Sequence, residues 1–148
     1  MANHRQRITA LQALVAGSVL GGTPLAAAVN AEFDEVARAG RVRILNRRYL
    51  LQVLHATRAL DSALRGFIAH HGIPNAGNSL GSYLYALRNS PLPVPSPLAE
   101  AQRLYFQNQI VDVRNTYMHQ AGTAPLNDNE LAILVADMET CLTDVFNL

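Results

Sequence analysis

The residues with the clearest chemical potential lie close together, where Arg114 is followed directly by Asn115 and, five residues after the arginine, by His119. An arginine guanidinium carries a permanent charge and a planar set of donors that match phosphate oxygens. Histidine is the side chain whose ordinary pKa allows it to give and take protons near neutrality. With a neighbouring amide, these groups could bind and cleave a phosphodiester.

A second arginine–histidine pair with the same spacing, Arg65 and His70, occurs earlier in the chain. Chance alone can produce such a pair, because the chain has twelve arginines and five histidines. Five residues of a regular helix place two side chains well away from one line. The later pair ends at a predicted helix terminus before Gly122, where the backbone can relax and let His119 turn towards Arg114. It is therefore the better candidate.

The other histidines and the single cysteine have simpler interpretations. His70 and His71 end a predicted helix, where histidine commonly caps carbonyl groups, and no nearby carboxylate completes a metal site. His55 lies in a mostly apolar helical run and is expected to pack or to pair with Asp61 or another neighbour. Cys141 alone excludes an intrachain disulfide and a cysteine-based zinc site. Glycine-rich phosphate loops, two-histidine zinc helices and nucleophile elbows are missing from the sequence.

The composition predicts one domain over residues 1–148, large enough for a core of its own. Charged residues make up 16% of the chain, against about 25% in an average globular protein, so a partner or a second copy is expected to cover some surface. The net charge of +1 gives no global signature of nucleic-acid binding. All basic residues are arginines and seven lie within 38–65, whereas residues 120–148 hold five acids and no arginine. Either a basic helix packs beside an acidic one, or a basic strip faces RNA.

Apolar residues recur with helical spacing, and alternating runs typical of strands are absent. The pattern predicts helical stretches over residues 4–20, 24–71, 79–89, 97–119 and 129–146. The second is either one long bent helix or two helices that meet near Gly40. The proline-rich run 90–97 is predicted to be an extended loop. The predicted fold class is all-α, an antiparallel bundle of about five helices.

Two further expectations concern individual helices. In the stretch 97–119, the positions expected to face the core are Leu98, Leu104, Tyr105, Ile110, Val113 and Tyr117. The N-terminal run imitates a signal peptide, but Gln12 and Gly17 interrupt it and its apolar residues follow helical spacing. We therefore interpret this run as a core helix and expect a cytoplasmic protein without a membrane span.

The motif from Arg114 to His119, followed by Gly122, Pro125 and a final helix with acids in its first turn, resembles the HEPN superfamily. Members of this superfamily are small α-helical domains marked by an arginine, often with a polar residue after it, and a histidine several positions further on. The resemblance implies a homodimer in which two copies of the motif meet. In catalytic members it also implies a metal-independent ribonuclease that needs no cofactor.

Carried over to this chain, the resemblance implies that Arg114 and His119 are the catalytic pair and that Asn115 is the polar residue beside them. Asp112 and Tyr117 are possible auxiliary residues. His119 would act as general base or acid while the RNA 2′-hydroxyl attacks its own phosphate, and Arg114 would stabilise the charge on the phosphorane oxygens. One protomer supplies one such histidine, so a symmetric dimer would supply the second proton-transfer group.

The chain also departs from the family pattern. Ile110 stands where many catalytic relatives have an acid four residues before the arginine, so an acidic helper would have to be Asp112. Ala121 stands where the toxin branch of nucleotidyltransferase-linked pairs has a tyrosine that its partner modifies, although Tyr117 is nearby.

Two functional hypotheses follow. The first is a dimeric endoribonuclease, a toxin or antiviral defence effector that an inhibitory antitoxin or regulatory protein restrains. The second is a non-catalytic helical module that binds a protein or a nucleotide. In a purely structural alternative, Arg114 pairs with Asp112 or an acid of the last helix, and His119 caps its own helix. A secreted helical protein is a more distant possibility.

Overall fold

The described part of the chain is built from helices alone. The computed structural model describes residues 4–75, 77–89 and 97–148, and none of these residues lies in a β-strand. The elements are α1 (His4–Gly17), α2 (Pro24–Ala39), α3 (Leu45–His70), α4 (Leu80–Asn89), α5 (Glu100–Phe106), a π-helical turn (Gln107–Val111), α6 (Asp112–His119) and α7 (Asp128–Phe146). The predicted all-α class is confirmed.

Two separate helices occupy the stretch 24–71. The sequence alone did not decide between one long bent helix and two helices here. The Thr23 hydroxyl accepts a hydrogen bond from the Ala26 amide at 3.1 Å, and Pro24 takes the first helical position of α2. Gly40 ends that helix. Because α5, the π turn and α6 continue directly into one another, the described residues form six helical rods where about five were predicted.

The third helix is the one against which most of the others pack. It contacts α2, α4, α6 and α7, while α1 contacts α2 and α7. Apolar side chains at helical spacing along α3 are buried, among them Val53, Leu60, Leu64 and Phe67. The burial of this stripe places the polar side chains of α3 on its remaining face, where the candidate site lies.

The N-terminal helix is an amphipathic core helix, as its spacing predicted. Ile8, Leu11 and Val15 are buried, and Gln12 between them bonds outward to α2, where its amide donates to the Asp34 carboxylate at 2.9 Å. Within the described ranges, no helix is both long enough and apolar enough to cross a membrane.

The helix predicted over 97–119 starts later and contains an irregularity. It begins at Glu100, after the buried Leu98. The turn Gln107–Val111 is π-helical, so this part of the backbone takes up about one extra residue. Because each α-helical residue turns the chain by about 100°, that extra residue rotates everything in α6 by about the same angle relative to α5.

This rotation changes which side chains reach the core. Leu104 and Tyr105 were expected to be buried but are 45% and 48% exposed. Phe106 and Val111 are buried in their place, together with the predicted Ile110. The prediction for Leu104 and Tyr105 was wrong because it assumed one uniform period of 3.6 residues per turn through the π turn.

The last helix begins at Asp128, one residue before its predicted start. The Asn127 side chain accepts a hydrogen bond from the Glu130 amide at 3.0 Å, and α7 then runs to its C-terminal end with Cys141 in the core. Burial raises the pKa of the Cys141 thiol, which makes it unreactive. The predicted extended loop at 90–97 lies outside the described residues except for Pro97.

The acids of α7 do not neutralise the arginines of α3. Asp128 accepts a hydrogen bond from the Tyr49 hydroxyl at 3.1 Å. Asp137 accepts one from Tyr105 at 2.7 Å, and Glu139 pairs with an arginine of α1. The two helices do pack together, but no ion pair joins them among the described residues. The basic side chains of α3 are therefore not neutralised by the last helix.

Candidate functional site

The first two residues of the 114–119 motif line an open cleft. Arg114 and Asn115 both lie in α6 and are partly buried. Nη1 of Arg114 donates a hydrogen bond to Oδ1 of Asn115 at 3.0 Å, so the amide holds the guanidinium from beside it. Within the described part of the chain, no carboxylate forms an ion pair with Arg114. Its remaining donors are free to bind a ligand.

The histidine of the motif lies outside this cleft. His119 is the last residue of α6, is exposed, and is not among the residues that line the cleft. The helix stays regular up to His119, so the five-residue spacing keeps its ring away from the line of Arg114. The cleft thus contains the guanidinium and the amide of the motif but not its imidazole.

The two auxiliary candidates are engaged elsewhere. Asp112 is exposed and accepts a hydrogen bond from Nε2 of Gln107 at 2.9 Å. Tyr117 donates its hydroxyl to the carboxylate of Glu130 at 3.3 Å, across the junction with α7. Burial raises the pKa of the Tyr117 hydroxyl, and the charge of Glu130 and its hydrogen bond add to that rise. Neither residue lines the cleft.

The cleft itself has a volume of about 740 Å³ and is shared by three parts of the fold. Its walls come from α3, from the start of α4 and from the π turn with α6. A space of this size lies within the range of pockets that bind small organic ligands and nucleotides, roughly 300–1,000 Å³. Most of the side chains that line it are polar, so a polar ligand fits it better than an apolar one.

One polar stripe of α3 forms the longest wall. Arg58, Asp61, Ser62 and Arg65 all line the cleft. They follow the spacing i, i+3, i+4 and i+7, which places side chains on one face of a helix. Together with Arg114 from α6, the stripe brings three guanidinium groups and one carboxylate to the same space, an arrangement typical of sites for phosphate groups.

The N-terminal turn of α4 lines the opposite side. Asn78, Ser79, Leu80 and Gly81 contribute to this wall. The turn is capped, since the Ser82 amide donates to the Ser79 hydroxyl at 3.2 Å and the Ser79 amide donates to the Ser82 hydroxyl at 3.0 Å. The positive end of the α4 dipole therefore adds to the favourable field for an anion.

The π turn also shapes the cleft. Gln107 and Val111, its first and last residues, line the cleft together with the start of α4. A Cβ atom at Gly81 would lie 3.1 Å from Oε1 of Gln107, so the glycine lets the amide approach α4 closely. By rotating α6 relative to α5, the π turn also determines the direction in which the Arg114 side chain extends from α6.

A charge network borders the cleft at Arg58. The Glu32 carboxylate of α2 contacts Nη2 of Arg58 at 2.9 Å and Nδ1 of His55 at 2.8 Å. His55 was expected to pair with Asp61 or another neighbour, and its partner is Glu32. Arg58 is therefore partly neutralised, whereas Arg65 and Arg114 have no ion pair among the described residues.

Asp61 lines the cleft together with Arg65 and Arg114. Burial raises the pKa of the Asp61 carboxyl, and the positive charges of Arg65 and Arg114 act in the opposite direction. Burial also raises the pKa of the Tyr83 hydroxyl, and the charge of Asp61 raises it further while that of Arg65 lowers it. Asp61 is therefore exposed to the charges of Arg65 and Arg114, and Tyr83 to those of Asp61 and Arg65.

In the earlier arginine–histidine pair, as in the later one, the arginine lines the cleft and the histidine does not. Arg65 lines the cleft, while His70 is exposed at the end of α3 and its ring contacts that of His71 at 4.9 Å between centroids. Burial lowers the pKa of His71, and the neighbouring His70 lowers it further. Sequence reasoning ranked this pair below the later one and did not include Arg65 among the candidate site residues. The signal that could have found it was the polar spacing of α3.

No protein-family model, curated protein or solved structure matches this chain. What the cleft does is therefore inferred from its own residues and their chemistry. Among the residues that the structure describes, no three histidine, cysteine, aspartate or glutamate side chains are grouped as metal ligands.

Proposed function

We propose that the chain is a metal-independent endoribonuclease of the HEPN type, which binds RNA phosphates in the cleft and cleaves the backbone. The observation that supports this most directly is that Arg114 and Asn115 line a cleft with two more arginines, Arg58 and Arg65. Guanidinium groups bind phosphate oxygens through paired donors. A cytoplasmic location, the antiparallel order of the helices and control by an inhibitory antitoxin or regulatory protein belong to the same proposal.

In the proposed reaction, the ribose 2′-oxygen attacks the adjacent phosphorus and the bond from phosphorus to the 5′-oxygen breaks. A general base removes the 2′-proton, and a general acid protonates the departing 5′-oxygen. The products are a 2′,3′-cyclic phosphate and a 5′-hydroxyl end. Arg114 stabilises the negative charge of the phosphorane, and Asn115 keeps the guanidinium oriented through its 3.0 Å hydrogen bond. His119 supplies one of the two proton transfers.

A dimer completes this site. His119 is exposed and outside the cleft of its own protomer, so a second copy would bring an imidazole to the bound phosphate. Exposed large apolar side chains support such an association. Leu126, in the loop after α6, is 82% exposed, and Ile133 on α7 is 50% exposed. Their burial in a dimer would remove apolar surface from water.

Cleavage of single-stranded RNA in the presence of EDTA tests the proposal. Arg114→Ala should slow cleavage by about 10²–10³-fold, the usual effect of removing a group that stabilises transition-state charge. His119→Ala should slow it by about 10²–10⁴-fold, the usual contribution of a general acid or base. Two matched controls, Arg5→Ala and His70→Ala, remove the same side-chain types at exposed positions outside the cleft. Cleavage that survives loss of Arg114 or of His119 contradicts the assignment.

The second candidate is a non-catalytic helical module that binds a nucleotide or a protein partner. Two observations favour it. Ile110, at the position of a helper acid in many catalytic relatives, is 1% exposed, and the cleft of one protomer contains no imidazole. This candidate predicts that the wild-type protein binds RNA or a nucleotide in the cleft with loss of affinity in Arg114→Ala, and that no RNA is cleaved at any protein concentration.

A further inference from the structure

The carboxylate of Asp61 is out of place in a cleft that otherwise suits anions. It is the only carboxylate among the described residues that line the cleft, and Arg58, Arg65 and Arg114 surround the same space. A negative charge beside bound phosphates weakens their attraction to the guanidinium groups. An acid at this position therefore needs a role that offsets this electrostatic penalty.

Asp61 is also without a direct partner. Among the described residues, its carboxylate forms no hydrogen bond, and no arginine lies within ion-pair distance. Other acids of the chain differ from it, because Glu32 and Glu130 are each bound by two groups of the protein. A half-buried carboxylate that the protein leaves unbound can bind a donor from a ligand.

An ionised carboxylate only accepts hydrogen bonds, so the ligand group that meets Asp61 must be a donor. A ribonucleotide chain combines phosphate anions with donor hydroxyl groups on the same sugar. The 2′-hydroxyl is the group by which a protein distinguishes RNA from DNA at a given position. We propose that Asp61 accepts a hydrogen bond from a ribose 2′-hydroxyl while Arg65 and Arg114 hold the adjacent phosphates, and that this contact makes the cleft selective for RNA over DNA.

The arrangement of α3 supports these separate roles for Asp61 and Arg65. Asp61 and Arg65 are separated by one helical turn on the same face, so their side chains can contact neighbouring parts of one nucleotide. A deoxyribonucleotide offers no donor at this position, and its phosphates would still lie beside the unpaired carboxylate. The inference rests on the proposed function, because it concerns the substrate of the same cleft.

Binding measurements in a His119→Ala background separate recognition from cleavage, because His119 does not line the cleft. Fluorescence anisotropy would compare an oligoribonucleotide with the oligodeoxyribonucleotide of the same sequence, with uracil in both. The RNA should bind roughly 10- to 100-fold more tightly, the usual effect of one hydrogen bond to a charged group. Asp61→Ala should lower RNA affinity, leave or raise DNA affinity, and so remove most of the preference.

Asp61→Asn keeps the shape of the side chain and an oxygen acceptor without the charge, so it should reduce the preference only in part. Asp34→Asn, an exposed aspartate of α2 outside the cleft, should leave the preference unchanged. An equal preference for RNA in the wild-type protein and in both Asp61 variants would overturn the inference. Loss of discrimination without any RNA cleavage by the wild-type enzyme would support the role of Asp61 and contradict the ribonuclease proposal.

Discussion

Arg65 of α3 and Arg114 of α6 line the same cleft, although each belongs to a separate arginine–histidine pair in the sequence. The histidines of both pairs, His70 and His119, are exposed and lie outside the cleft. The carboxylate of Asp61 experiences the charge of both arginines. The two pairs thus contribute their arginines to one site, and the helix-end position that favoured the later pair in the sequence does not separate the two arginines.

Loss of either arginine should weaken RNA binding to a similar extent. In the His119→Ala background, Arg65→Ala and Arg114→Ala are each expected to reduce affinity by about tenfold or more, since a charge-assisted hydrogen bond contributes about 1.5–3 kcal/mol. Each variant should also lower the slope of log affinity against log salt concentration by about 0.7–1, because one phosphate contact is lost. Titrations at several salt concentrations measure both effects, with Arg5→Ala as control. An unchanged slope in Arg65→Ala would show that Arg65 does not contact a phosphate.

Asp61→Asn should stabilise the fold at neutral pH. Burial raises the pKa of Asp61, so the folded state favours the protonated carboxyl and the ionised form is destabilising. The stabilising contribution of the protonated acid is present below the ordinary pKa of 3.8 and is lost as the pH rises through the raised folded-state value. The urea midpoint of Asp61→Asn should therefore exceed that of the wild type at neutral pH, and the difference should shrink on acidification.

Asp34→Asn, measured over the same pH series, is the control, because it makes the same substitution at an exposed site. A lower urea midpoint for Asp61→Asn than for the wild type at neutral pH would mean that the charge of Asp61 is stabilised by the fold, contrary to its position without a direct partner.

Deletion of one residue from the π turn should disable the cleft while helical content is kept. Asn108 is exposed within this turn, and its removal should convert the turn to regular α-helix. Arg114 would then be rotated by about 100° relative to α5. RNA affinity should fall at least as far as in Arg114→Ala, with an almost unchanged far-ultraviolet circular dichroism spectrum. Asn108→Ala retains the chain length and should bind RNA as the wild type does. Full affinity in the deletion variant would show that the π turn does not position Arg114.

Gly66→Ala should destabilise the protein even though it lies inside α3. A Cβ atom at Gly66 would lie 2.1 Å from Cδ2 of Leu25 and 3.4 Å from Cδ2 of Leu20. Overpacking of this kind costs about 1–3 kcal/mol, which over most of that range outweighs the gain of about 1 kcal/mol from replacing a helical glycine. Gly17→Ala is the matched control, since nothing lies within 4 Å of a Cβ atom there. Chemical denaturation should show a loss for the first variant and no loss for the second.

An acidic substitution at Ile133 should separate dimer formation from RNA binding. Ile133 is 50% exposed on α7 and does not line the cleft. If it lies in the proposed dimer interface, Ile133→Asp should shift the mass measured by light scattering towards the monomer and reduce RNA cleavage by about 10²-fold or more, the effect of losing a proton-transfer group. RNA affinity should stay close to that of the wild type. Val19→Asp, at another exposed apolar position, should change neither property.

Ile133→Asp would argue against this interface if it remained dimeric and fully active. Cleavage by a strictly monomeric protein would show that His119 reaches the phosphate within its own chain.

The sequence by itself determined the helices and most of the core. Their apolar spacing and the Thr23 and Asn127 caps are local signals, since each depends on residues within one or two turns, whereas the break at Gly40 was left open. It also located Arg114 and Asn115 as groups suited to a phosphate. These features were predictable because the physics behind them acts over short distances along the chain.

Only the tertiary structure decided which groups share one site. Arg58, Asp61 and Arg65 join Arg114 because α3 packs beside α6 and the start of α4, a relation that no local pattern encodes. The π turn, which the uniform helical period concealed, rotates α6 relative to α5. The regular helix up to His119 then leaves the imidazole outside the cleft. Sequence periodicity indicates which side chains share one face of a helix, whereas the packing of helices determines which residues that face contacts.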